Sequence, residues 1–300
     1  MRIGEILIIL ASSLLLASCA VLSKNPALSA SDIESLESYH KPDGSLEYGS
    51  HATSVDGPTK RKMLVYLPEG YYSSGKRYPV FYLLHGARGN ERDWIVDGNI
   101  IYIVDSLRNA GLSGDYILVL PNVNQYSDDE DYGNSRQKAP IESFFEIDGA
   151  VETGFVHDVV GTVDSLYRTI PRKEARSIAG LSIGGLQALY ISATHPDSFN
   201  YVGLFSPMCS SFKLKSPYNV FYKNLEAKMA EQFVQPPLRY DISIGKCDIF
   251  LWQVKNFSRK MDKKGYPHTL TLVKGGHEWY NWKKFCTNFI REIFKEESSH

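Results

Sequence analysis

The stretch Ser177-Ile178-Ala179-Gly180-Leu181-Ser182-Ile183-Gly184-Gly185-Leu186-Gln187-Ala188-Leu189-Tyr190 changes character twice. It opens as a short apolar run, as a buried strand would, and closes as a helix-forming run. Between them Gly180-Leu181-Ser182-Ile183-Gly184 places a serine where the chain must turn sharply, with glycines on both sides. A serine on a strand-to-helix turn is exposed at the end of a sheet, beneath the N-terminal dipole of the following helix. This G-x-S-x-G pattern is informative because of its setting, and Ser182 is the candidate nucleophile.

On either side of that stretch, strand and helix patterns alternate. Apolar runs occupy Met63 to Leu67, Val80 to Leu84, Tyr116 to Leu120, Tyr201 to Phe205, Tyr240 to Ile244 and Leu270 to Val273. Continuous rather than alternating apolar character fits strands buried on both faces of a parallel sheet. Helices are expected over Asn99 to Asn109, Phe155 to Tyr167, Gly184 to Ala193, Trp252 to Lys263 and Trp282 to Lys295. The fold class is therefore α/β, a mostly parallel central sheet with helices on both faces. Residues 125–153 break the rhythm. That acidic, aromatic stretch is longer than ordinary connections and is expected to cover an active site.

The order of elements selects partners for Ser182. A serine hydroxyl needs a base to take its proton, and open α/β sheets place their sites at the C-terminal ends of the strands. His277 follows the strand Leu270 to Val273 at that edge. His195 closes the helix after Ser182 and His268 precedes a strand, so both belong to the opposite edge, and His300 is the terminus. Asp248 lies past the strand Tyr240 to Ile244 and is the expected acid, whereas Asp241 starts that strand. Asp197 and Asp262 lie on a bottom loop and within a helix. The amide of Ile183 and that of Ala87, with Gly86 as fallback, are the expected oxyanion donors. His85 is expected to brace the loop that carries Ala87. Trp94, Tyr126 and Trp279 are the expected substrate-binding residues, with Tyr132, Phe144 and Phe145 as further aromatics near the site.

These blocks resemble the Putative esterase family, which includes feruloyl and acetylxylan esterases, esterase D, tributyrin and enterochelin esterases and the antigen 85 mycolyltransferases. The resemblance rests on Tyr82-Leu83-Leu84-His85-Gly86, Asn90-Glu91-Arg92-Asp93-Trp94, Pro121-Asn122-Val123-Asn124, Ile178 to Gly185 and Gly275-Gly276-His277, and runs from about Lys60 to Phe294. It implies the α/β-hydrolase fold and a Ser182, Asp248, His277 triad, with bacterial feruloyl esterases most alike. Arg88 and the 125–153 stretch depart from the pattern and leave the substrate open. The expected activity is hydrolysis of feruloyl or acetyl esters of plant cell-wall carbohydrate. The alternatives are a short-chain esterase, an acyltransferase, or a catalytically silent surface-binding lipoprotein.

The rest of the chain bounds these readings. Its 300 residues carry 33 Lys and Arg against 34 Asp and Glu, so no basic surplus points to nucleic acid. Ile6 to Ala17 is apolar but short for a membrane span, and Leu16-Ala17-Ser18-Cys19 resembles a bacterial lipobox. Residues 1–18 are thus expected to be a lipoprotein signal peptide, with a lipid on Cys19 and export to the bacterial cell envelope. Residues 19–54 are expected to be a tether leading into the first edge strands, and 55–300 the catalytic domain. Cys209, Cys247 and Cys286 match no zinc spacing; buried free thiols are expected, with a Cys247–Cys286 bridge conceivable. No metal or organic cofactor is implied.

Overall fold

The computed structural model describes residues 46–51, 61–87, 89–123, 149–209 and 224–294. Among these, one eight-stranded sheet runs in the order β1-β2-β4-β3-β5-β6-β7-β8. Its strands are β1 (Leu46–His51), β2 (Arg61–Tyr66), β3 (Val80–Leu84), β4 (Ile117–Pro121), β5 (Arg176–Leu181), β6 (Tyr201–Phe205), β7 (Arg239–Gly245) and β8 (Thr269–Val273). β2 runs antiparallel to β1 and β4, and all other neighbours are parallel.

The continuous apolar runs are explained by burial on two sides. Every residue of β3 and β4 is buried, and successive side chains enter different cores. Val80, Tyr82 and Leu84 join Ile178, Val202, Ile242 and Leu186 on one face. Phe81 and Leu83 join Leu118, Ala179, Phe205 and Phe289 on the other. β8 ends the sheet and is only partly buried.

The helices are α1 (Asp93–Val96), α2 (Ile100–Asn109), α3 (Ala150–Phe155), α4 (Gly161–Leu166), α5 (Ile183–Thr194), α6 (Leu225–Gln232), α7 (Leu251–Lys263) and α8 (Trp279–Ile293). α2 and α8 cover one face through Val104, Leu107, Trp282 and Phe289. α5 is buried from Gly184 through Ala193, as befits a helix that is apolar all round. α6 and α1 have no counterpart among the helices expected from sequence.

Four expectations need correction. The expected helix Phe155 to Tyr167 begins earlier, at Ala150, and contains a π turn over Val156–Val160. Apolar spacing of three and four does not register one extra residue in a turn. The end of the expected cover, Ala150 to Thr153, is already helical, and residues 124–148 lie outside the described residues. The last helix starts at Trp279, three residues before Trp282. The sheet begins at Leu46, inside the expected 19–54 tether, because β1 pairs with β2 from Leu46↔Tyr66 to His51↔Arg61.

The cysteines also divide. All three described cysteines are free; Cys286 is buried, Cys209 partly buried and Cys247 exposed. Burial pushes the Cys209 and Cys286 thiols well above the ordinary range. Cys247 does not fit the expectation of a buried thiol, since it occupies the loop beyond β7. Cys19 lies outside the described residues.

Candidate active site

β5, β7 and β8 run parallel, so the segments that follow them emerge at one edge of the sheet. Ser182 directly follows β5, Asp248 lies three residues past β7, and His277 lies four past β8. The structure brings the three together. The Ser182 hydroxyl lies 3.0 Å from Nε2 of His277, and Nδ1 of His277 donates to Asp248 at 3.0 Å to Oδ2 and 3.2 Å to Oδ1. The side chains of His277 and Asp248 are 6% and 0% exposed.

Each position has a local cause. Ser182 sits at φ 54°, ψ −114°, a conformation that costs a non-glycine residue about 1–3 kcal/mol. Neighbours enforce it: its amide donates to the Phe205 carbonyl at 2.8 Å, and its carbonyl accepts from Leu186 at 3.2 Å. The flanking glycines allow the turn to close. A Cβ on Gly180 would stand 2.4 Å from the Gly184 backbone, and one on Gly184 would stand 2.2 Å from the His85 carbonyl oxygen. Asp248 is held by the Phe250 amide, which donates to Oδ1 at 2.9 Å. The His277 loop is held by Asn281, whose Nδ2 donates to the Gly276 carbonyl, and by Glu278, which accepts from the Gly276 amide.

Ile183 is the first residue of α5, and its N–H has no partner within the helix. It points from the same turn as Ser182. Ala87 is placed through His85. Nδ1 of His85 donates to the Gly86 carbonyl at 2.8 Å, which also accepts from the Gly89 amide at 3.2 Å. Nε2 of His85 accepts from the Val123 amide at 3.0 Å. One nitrogen donates and the other accepts, so the ring is neutral with its proton on Nδ1. Burial depresses its affinity for a second proton below the usual histidine range. The Gly86 carbonyl and the Ala87 N–H belong to one trans peptide and point opposite ways. Fixing the first therefore turns the second away from His85.

The remaining candidates fall elsewhere. His195 caps the far end of α5, facing the Thr153 carbonyl, and His268 pairs with Ser258 at the start of β8. Asp241 pairs with Arg239. Trp94 is corrected: it is 1% exposed, and its indole N–H donates to the Leu84 carbonyl at 2.9 Å. It is a core residue with no face for a ligand. Trp279 is half-buried and packs edge-on against Trp94. Tyr126, Tyr132, Phe144, Phe145 and Arg88 lie outside the described residues.

Three contributors had no signal in sequence. Phe250 and Trp282 pack edge-on against the His277 ring at 5.1 and 4.9 Å. Gln187, one turn into α5, donates to the Val123 carbonyl at 3.1 Å and to Glu152 at 2.6 Å, tying β4's exit and α3 to the nucleophile helix. The arrangement can deprotonate a serine hydroxyl, hold the resulting imidazolium against a carboxylate, and offer amides to a developing oxyanion.

Comparison with known proteins agrees with this geometry. The profile of the family described as Putative esterase matches residues 54–291. An endo-1,4-beta-xylanase/feruloyl esterase of Xylanibacter ruminicola is 35% identical over 146 residues, 47% of this chain and 19% of that protein. Endo-1,4-beta-xylanase Y of Acetivibrio thermocellus is 26% identical over 173 residues, 53% of this chain and 14% of that protein. The chain thus spans well under a third of the length of the curated relatives it matches. Among solved structures, a ferulic acid esterase of the anaerobic fungus Anaeromyces mucronatus aligns with TM-score 0.66 at 22% identity, covering 85% of this chain and 92% of that one. The S-formylglutathione hydrolase of Staphylococcus aureus aligns with TM-score 0.64 at 16% identity, covering 84% and 98%. These likenesses establish the α/β-hydrolase fold.

Proposed function

The chain belongs to the Putative esterase family, and from that premise we propose that it hydrolyses carboxylic esters through an acyl-enzyme on Ser182. The observation that carries the proposal is the hydrogen-bonded line from Asp248 through His277 to Ser182 at the C-terminal edge of the parallel strands β5, β7 and β8. Ser182 Oγ attacks the ester carbonyl while its proton passes to Nε2 of His277. Asp248 keeps the other imidazole proton on Nδ1 and faces the imidazolium as it forms. The amides of Ile183 and Ala87 receive the oxyanion. His277 then gives its proton to the departing alkoxide, which leaves as the alcohol. Water repeats the sequence with His277 as base, releasing the carboxylic acid and restoring Ser182.

The proposed substrate is a feruloyl or acetyl ester of plant cell-wall carbohydrate. Its support is the likeness to a relative named as both xylanase and feruloyl esterase. Purified protein should turn over feruloylated or acetylated xylo-oligosaccharides with a higher kcat/KM than tributyrin. If only tributyrin is cleaved, the carbohydrate assignment is wrong and a short-chain esterase replaces it. If no ester is cleaved, the hydrolase reading itself fails and a silent binder remains. The proposal includes export and a lipid on Cys19, supported by Leu16-Ala17-Ser18-Cys19. A mass spectrum of the membrane-bound protein should show an acylated N-terminal Cys19; a different, unmodified N-terminus contradicts it.

A further inference from the structure

His277 is one link in a continuous line of edge-to-face aromatic contacts. Phe250 meets His277 at 5.1 Å and 85°, and His277 meets Trp282 at 4.9 Å and 87°. Trp282 meets Trp279 at 5.3 Å and 81°, and Trp279 meets Trp94 at 5.2 Å and 89°. Trp94 then meets Phe205, whose carbonyl receives the Ser182 amide. Hydrogen bonds also tie members of the line to the site. Phe250 holds Asp248 with its amide, while Trp94 bonds the carbonyl of Leu84, the last residue before the His85-Gly86-Ala87 loop.

The line is tightly packed. A Cβ on Gly98 would stand 2.7 Å from the Trp94 ring and 3.0 Å from the Trp279 ring, so no side chain fits beside that joint. Trp282 is nearly fully buried, yet its indole N–H has no hydrogen-bond partner among the described residues. Leaving a buried donor unpaired is unfavourable. The contact of Trp282 with His277 is made by the ring. Edge-to-face pairs are directional, and a catalytic side chain keeps its productive geometry only where packing locks its rotamer.

We infer that Trp282 and Trp279 are positioning residues that hold the His277 imidazole in line with Ser182 and in one rigid frame with the oxyanion loop. The inference rests on the acyl-enzyme reading of the same site. Plain core packing would affect stability alone, whereas positioning acts on turnover. A misplacement of about 1 Å in a reacting group costs roughly 100-fold in rate.

The test uses the full chain with p-nitrophenyl acetate, alongside thermal unfolding and proton NMR of the His277 Nδ1–H signal in a Ser182→Ala background. Trp282→Leu should lower kcat about 10- to 100-fold with KM within about threefold, and should lose the slowly exchanging downfield proton. Trp282→Phe keeps the ring and drops the unpaired donor. It should retain that proton, unfold no earlier than the parent, and recover kcat to within about threefold. Trp279→Leu, acting through Trp282, should lower kcat by about three- to tenfold. Unchanged kcat in Trp282→Leu, a change in KM alone, or equal losses in the Leu and Phe variants would overturn the inference. Should Trp282→Leu fail to fold, the Trp282→Phe and Trp279→Leu results decide. If the parent cleaves no ester, the acyl-enzyme reading fails, and the downfield proton alone decides the positioning role.

Discussion

Two histidines stand at the same edge of the sheet, four residues or fewer beyond their strands, and both ring nitrogens of each are engaged. Each ring nitrogen of His85 has a backbone partner: Nδ1 donates to the Gly86 carbonyl and Nε2 accepts from the Val123 amide, with the Asn122 side chain beside the ring. His277 is bonded only to side chains: it donates to the Asp248 carboxylate and faces the Ser182 hydroxyl. A backbone amide does not give its proton up to an imidazole, nor does a backbone carbonyl take one, so His85 is held in one tautomer and serves as a brace. A hydroxyl on one side and a carboxylate on the other let His277 gain a proton and lose it again. Residue type and burial are alike in the two; the chemistry of the partners separates base from brace.

The comparison predicts widely different costs for similar substitutions. Ser182→Ala and His277→Ala should each lower ester kcat by about 10⁶, because the two act as one unit. Asp248→Asn should cost about 10⁴, since it favours the wrong tautomer while leaving the oxyanion donors in place. Steady-state kinetics on one activated ester checks all three, and a His277→Ala variant that loses less than His85 variants would reverse the assignment.

At His85 the two ring nitrogens can be tested separately. His85→Gln can replace the acceptor for Val123 but not the donor to Gly86, so the Ala87 peptide loses its restraint. It should lower kcat by about 10- to 100-fold, somewhat less than outright removal of an oxyanion donor. His85→Asn can keep the donor to Gly86 and should cost less. If both variants retain parental kcat, the loop does not depend on His85.

The smallest effect is on stability. Burial holds the folded-state pKa of His85 below the usual value of about 6.5. As pH falls below that value the unfolded chain takes up a proton that the folded chain refuses. Stability is therefore full above about pH 6.5 and declines below it, by at most about 1.4 kcal/mol per pH unit from this group. Denaturant unfolding of His85→Asn between pH 7 and 5 should show a shallower decline than the parent. A parallel decline in both would place the acid sensitivity elsewhere.

These contrasts also show what could be read from the chain alone. The strands were legible because burial on two faces leaves continuous apolar runs, and β3 and β6 lie over Val80–Leu84 and Tyr201–Phe205 as expected. Meeting of Ser182, Asp248 and His277 was legible because parallel strands send all their exits to one edge. Trp94 was misread because an aromatic just past the oxyanion loop looks the same whether it lines a pocket or fills the core. Its burial depends on Trp279 and Phe205, which are far away in sequence. Cys247 was misread because a lone thiol in a loop carries no burial signal. The π turn was missed because a shift in hydrogen bonding leaves the apolar spacing almost unchanged.

In the proposed mechanism the ester's acyl group passes through Ser182, and that adduct can be trapped. Protein mixed with p-nitrophenyl acetate, quenched in acid within one turnover and mapped by peptide mass spectrometry should carry one acetyl group on Ser182. The same experiment on His277→Ala should show almost none in that time. An acetyl group on another residue at the pace of turnover, or sustained hydrolysis by Ser182→Ala, would rule out Ser182 as the nucleophile.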